Sequence, residues 1–129
     1  SGPPPVDVPV IVSPLDGETC VANSVSGDVA NVSFEFDPVE NARGTGAYQV
    51  EIRRADAPTC QVAWTDVGTG FDHYPTCWIA DTNTDFHADN LDADTGYRWR
   101  VRASDTNVSP PVSASWSGYQ TFETEGPGC

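Results

Sequence analysis

Lysine and methionine are missing from these 129 residues, and the six basic residues, all arginine, face nineteen Asp and Glu. The formal charge is -13 and the pI is near 4.1. A chain this poor in cations cannot neutralise a phosphate backbone, which excludes a nucleic-acid coat protein. The same deficit argues against docking on anionic membranes. No run of about 18 apolar residues exists, so no segment reads as a membrane-spanning helix. Helical spacing of apolar residues is nearly absent, and eleven Gly plus eleven Pro interrupt the chain. The sequence holds no C-x-x-C, no G-x-S-x-G, no H-E-x-x-H and no phosphate-binding glycine loop. With no nucleophile or metal motif, catalysis is not expected.

What is present points to a folded β protein. Hydrophobic content is 38%, with four Trp, four Tyr and five Phe, too much for a disordered acidic tail. At 13.8 kDa the chain makes one domain, able to bury roughly two thirds of its unfolded surface. Apolar residues recur with period two. Val32, Phe34 and Phe36 share one face of Ala30–Asp37. Tyr48, Val50 and Ile52 share one face of Ala47–Arg54, and Tyr97, Trp99, Val101 and Ala103 share one face of Thr95–Ser104. Such alternation marks half-buried antiparallel strands. Val8–Ser13, Cys60–Thr65, Thr84–Ala88 and Tyr119–Thr124 are weaker strand candidates. Seven short strands between turn signals predict an all-β, antiparallel two-sheet sandwich. Residues 1–8 read as an extended Pro-rich lead, 9–125 as the domain and 126–129 as a tail.

Cys20, Cys60, Cys77 and Cys129 are even in number and widely spaced, which suits two disulfides better than a zinc site. Four cysteines allow three connectivities, and spacing alone leaves them open. Disulfides place the chain outside the cell or on its surface. The chain opens on Ser1 with no visible signal peptide, and is read as a mature or excised segment.

The segment Leu91-Asp-Ala-Asp-Thr95-Gly-Tyr97-Arg-Trp99-Arg-Val101-Arg-Ala103 resembles the L-x-x-x-T-x-Y-x-x-x-V-x-A signature of fibronectin type III domains, an immunoglobulin-like superfold. Other segments match the family in order. Pro9–Pro14 with Leu15-Asp-Gly17 looks like strand A, Val32–Pro38 like strand B and Gly46–Val50 like strand C. Ser115-Trp116-Ser117 with Gln120–Thr124 looks like the last loop and strand G. The resemblance implies a tyrosine corner at Tyr97, a core plug at Leu91, and a core of Trp99, Val101, Phe34, Phe36 and Tyr48. Phe34 or Phe36 stands where the family carries Trp. The chain is longer than the family's usual span, and the surplus lies in Glu18–Val29 and Ala55–Asn90. Hence the expectation of a disulfide-bearing insertion between strands C and E.

The implied topology puts Cys20 and Cys129 at one pole, making Cys20–Cys129 a reasonable bridge, worth up to about 4.7 kcal/mol. Cys60–Cys77 would close the insertion for roughly 3 kcal/mol. The competing reading pairs Cys129 with another subunit.

Several side chains are candidates for function. Trp64, Phe71, Tyr74 and Trp78 form either a stacking platform for a glycan or protein, or a satellite core under the insertion; the satellite core is favoured. Arg98, Arg100 and Arg102 line the outer face of the Tyr97 strand, with Arg53 and Arg54 on its expected neighbour, so five of six cations are expected on one sheet face. They either pair with Glu51 and Glu123 or present a surface that meets the acids of another copy. His73 and His87 read as surface residues. Asp81-Thr-Asn83-Thr-Asp85 imitates half a calcium loop, but Phe86 replaces the required Gly and Asp92 the final Glu. No metal or cofactor is therefore predicted, weak calcium binding by loops included. The expected function is a non-catalytic spacer or protein-binding module. A self-assembling fibre subunit and a carbohydrate-binding accessory module are the alternatives.

Overall fold

The structure is a computed structural model and describes residues 6–22, 24–56, 64–66, 71–73, 78–81, 84–126 and 129. Among them there is no helix. Twelve strands form: β1 (Ile11–Ser13), β2 (Glu18–Val21), β3 (Ser24–Ser26), β4 (Val29–Phe36), β5 (Tyr48–Arg54), β6 (Trp64–Asp66), β7 (Phe71–His73), β8 (Trp78–Asp81), β9 (Asp85–Asp92), β10 (Gly96–Asp105), β11 (Val112–Ser113) and β12 (Gln120–Thr124). One sheet runs β1-β4-β9-β6-β7, with β3 beside β4. The other runs β2-β12-β10-β5-β8, with β11 beside β10.

The three strongly alternating segments form β4, β5 and β10. The strand count exceeds the expected seven because β2, β3, β7, β8 and β11 form in segments not read as strands. Glu18–Val29 holds β2 and β3, while β6, β7 and β8 come from Ala55–Asn90. These three strands serve both sheets: β6 pairs with β9 and β7 in the first, and β8 pairs with β5 in the second. Most of the Cys60–Thr65 candidate lies outside the described residues.

A second correction concerns direction. The sheets are not wholly antiparallel, because β2 runs parallel to β12, with Glu18 opposite Phe122 and Val21 opposite Thr124. A tight turn between β1 and β2 moves the chain from one sheet to the other. Glu18 N–H donates to the Leu15 carbonyl at 3.1 Å, and Gly17 sits at φ 88°, which a side chain would strain. Asp16 then fastens the turn to the last strand, its Oδ1 accepting from Thr121 N–H at 2.9 Å.

The core lies between the sheets. Ala30, Val32, Phe34 and Phe36 from β4 meet Tyr48, Val50 and Ile52 from β5, and Tyr97, Trp99, Val101 and Ala103 from β10. Each large apolar side chain buried there stabilises the fold by about 1.5–3 kcal/mol. Aromatic edges interlock: Phe34 meets Trp99 at 4.9 Å between centroids, and Phe36 meets Tyr48 at 5.1 Å, both edge to face. Trp99 is fully buried yet satisfied, its indole N–H donating to the Pro14 carbonyl at 3.0 Å.

Leu91 and Ala88 are both fully buried although three residues apart. Strict alternation would send them to opposite faces. The register explains it: Val32 faces Ala88 and Ala30 faces Leu91, so β9 carries one extra residue, a bulge. That bulge turns Leu91 inward as the plug. Beyond it, Asp92 N–H donates to the hydroxyl of fully buried Tyr97 at 2.7 Å. Burial pushes the Tyr97 phenol above its ordinary range, against the effect of this hydrogen bond. Thr124 completes the corner, its hydroxyl donating to the Asp92 carbonyl at 2.7 Å and accepting from Thr95 N–H at 2.9 Å.

Cys20 and Cys129 form a disulfide, with Cα atoms 5.7 Å apart. Cys60, Cys77 and their expected bridge lie outside the described residues.

Candidate functional site

Alternation along β10 buries Tyr97, Trp99, Val101 and Ala103, which leaves Arg98, Arg100 and Arg102 on the outer face. Register sets their neighbours on β5: Arg53 opposite Arg98, Glu51 opposite Arg100 and Gln49 opposite Arg102. Arg54 departs from expectation. It lies opposite inward-facing Tyr97 and pairs with Asp92 of the other sheet. Four arginines, not five, therefore share this face.

Two aromatic rings stand among the guanidinium groups. Arg98 lies 4.7 Å from the Tyr119 centroid and Arg100 4.6 Å from the same ring. Arg100 is also 4.5 Å from the Trp116 centroid, and Arg102 4.6 Å. The arginines and rings thus alternate in a ladder. Each such contact is worth roughly 0.5–1 kcal/mol when exposed and about 2 when desolvated.

A strand interruption puts the rings there. Trp99 faces Gln120 and Ser104 faces Ser113, so five residues along β10 oppose seven along the following strands. Two residues are extra, and they split β11 from β12. Ser117 repairs the gap: its N–H donates to the Val101 carbonyl at 2.8 Å, and its Oγ accepts from Val101 N–H at 3.0 Å. The released segment carries Trp116 out over the arginines.

Glu51 is the electrostatic centre of the face. It is only 5% exposed. Its carboxylate accepts from the Tyr119 hydroxyl at 2.5 Å and from Arg100 at 3.3 Å, and lies 3.1 Å from Arg53 Nε. Burial alone pushes this carboxyl up, but the Tyr119 and Arg100 hydrogen bonds and the Arg100 and Arg53 charges outweigh it, so it is held below the usual carboxylate range. Tyr119 is pushed the opposite way, by burial and by its bond to Glu51. Arg102 donates through Nε to Gln49 Oε1 at 3.0 Å. Glu123, the other expected acidic partner, faces Gly96 across the strands.

The remaining candidates are scattered or undescribed. Trp64, Phe71 and Trp78 have backbones in β6, β7 and β8, and their side chains, like all of Tyr74, lie outside the described residues. The expected choice between glycan platform and satellite core therefore concerns residues that are not described. His87 is exposed, with Ser33 Oγ 3.3 Å from its Nε2. Among the described residues, no group of three His, Cys, Asp or Glu is placed to hold a metal ion. The sequence reading missed Trp116 and Tyr119 as partners of the arginines. An R-x-R-x-R run followed by two aromatics three residues apart is the signal that was available. It also missed fully buried Asp105, which accepts from Arg43 at 2.8 Å and from Asn107 N–H at 3.0 Å.

No family model matches this chain, and no curated protein or solved structure matches it either.

Proposed function

We propose that this chain is a non-catalytic module of an exported protein, a fibronectin type III-like spacer that docks an acidic protein partner on its arginine face. The observation that carries this reading is the ladder of Arg98, Tyr119, Arg100, Trp116 and Arg102. Stacking fixes the guanidinium groups in advance, so little side-chain entropy remains to be lost on binding. Each ring already carries two guanidinium groups, so the face suits carboxylates better than a stacked sugar. The Tyr97–Asp92 corner, buried Leu91 and the central trio β5-β10-β12 support the family assignment. The Cys20–Cys129 bridge supports an oxidising compartment.

A second reading, the fibre subunit, has its own observation. On the other sheet, Glu35 and Asp85 are both exposed and directly opposite. Like charges so placed repel, and a neighbour's arginine face would relieve them.

The test is retention of the whole chain on immobilised polyglutamate, against an Arg98→Glu, Arg102→Glu double variant. Salt-sensitive retention of the wild type, lost in the variant, is expected. Equal behaviour of the two proteins refutes docking on this face. Sedimentation at rising concentration separates the fibre reading: salt-sensitive self-association abolished by Glu35→Gln with Asp85→Asn supports it, and a monomer throughout removes it.

A further inference from the structure

We propose that the Cys20–Cys129 disulfide is a mechanical shunt that keeps β3 to β12, the bulk of the sandwich, out of the load path when the chain is pulled by its two ends. This rests on the spacer half of the proposed function, since a spacer transmits tension between whatever flanks it. Tension follows the shortest covalent route. Here that route runs from Ser1 to Cys20, across the disulfide, and out at Cys129. Residues 21–128, which include nearly all of the core, hang off this route as a closed loop.

The topology places the bridge well for this role. Cys20 lies in β2, which runs parallel to β12, and β12 ends at Thr124, five residues before Cys129. The two cysteines are therefore reached at the ends of neighbouring strands heading the same way. Only the ribbon before Cys20 stays under load, and it is fastened at several points. Asp37 N–H donates to the Val10 carbonyl at 2.8 Å, Trp99 Nε1 to the Pro14 carbonyl at 3.0 Å, and Gly17 N–H to the Thr121 carbonyl at 2.7 Å. Because the loop itself is not pulled, these contacts need only hold the sandwich to a taut ribbon. The slack in the ribbon is the Leu15–Glu18 turn.

Without the bridge the same pull would unravel the loop. The two cysteines are 109 residues apart in sequence. A taut chain spans about 3.3–3.6 Å per residue, so breaking the bridge releases roughly 360–390 Å of contour.

Optical tweezers holding the full chain by its two ends test the proposal. The oxidised protein should yield only the short ribbon. After reduction the additional 360–390 Å or so should be present. It arises as an unfolding step, or as contour already extended if the reduced sandwich no longer folds. A domain-sized step in the oxidised chain overturns the shunt. Dyes at the two ends in urea give a second measurement that needs no folded state. High energy transfer when oxidised and low when reduced is expected; equal transfer overturns it. In the oxidised state the Arg98→Glu, Arg102→Glu variant should give the wild-type pulling record. A failure of docking and a failure of the shunt are thus read separately.

Discussion

The two outer faces of the sandwich are built on opposite plans. Across β5 and β10, outward side chains form a second packed layer: Glu51 between Arg53 and Arg100, rings between arginines, Gln49 under Arg102. Across the other sheet, Glu35, Asp85 and His87 stand exposed, and Val8, Val10 and Val12 along the β1 edge are 39–65% exposed. The inner faces of both sheets are similarly apolar and close on one core. One apolar face per sheet closes the core. The charged order on β5 and β10 lies outside that core, which is why it is proposed as the working surface.

The largest expected contrast comes from removing one acid from each face. Glu51→Ala should destabilise by about 3 kcal/mol, because it strands two partly buried arginines and the Tyr119 hydroxyl. Glu35→Ala should stay within about 0.5 kcal/mol, as an exposed substitution does. Urea unfolding of both variants checks the difference, and equal effects would erase the distinction between the faces. Trp116→Ala comes next. It removes two arginine contacts, and about 1–2 kcal/mol of destabilisation is expected.

The acid limb of stability sharpens the comparison further. Glu51 is held below its ordinary value of 4.5, so its contribution is complete above that pH and fades as pH falls through the lower folded value. The stability gap between wild type and Glu51→Gln should therefore narrow steadily below about pH 4.5, measured by urea midpoints. A gap constant with pH would show that the carboxylate's charge is not what the face uses. On the alkaline side, Tyr97 and Tyr119 are both raised above 10.0, so their contribution is complete below that pH and is lost above it.

Much of this was legible in the sequence, for reasons that can be named. Period-two alternation exposed β4, β5 and β10 because each puts its apolar side chains on one face. The pattern from Leu91 to Ala103 marked Leu91, Tyr97, Trp99 and Val101 as inward-facing, and all four are buried. The parallel β2–β12 pair was hidden because nothing local in Glu18–Val21 says which strand it will meet. The β9 bulge was hidden too, because it shows only as a register shift. The arginine stripe was plain, but its ring partners were not. Trp116 and Tyr119 arrive through a two-residue interruption that breaks alternation, and there period-two reasoning fails.

The smallest effect discriminates most finely between the two functional readings. Glu35 and Asp85 oppose each other on exposed strands, an arrangement that costs a few tenths to about 1 kcal/mol. Neutralising one side by Glu35→Gln should therefore stabilise the isolated chain slightly. High salt should shrink the gain, because screening already weakens repulsion between exposed charges. If copies dock face to face, the same substitution has a second consequence: it removes a carboxylate that a neighbour's arginines would use. Stability would then rise at low concentration and self-association would fall at high concentration. A module that never meets its own kind shows only the first change. Differential scanning calorimetry at two protein concentrations separates these outcomes, since coupling to assembly makes the midpoint depend on concentration.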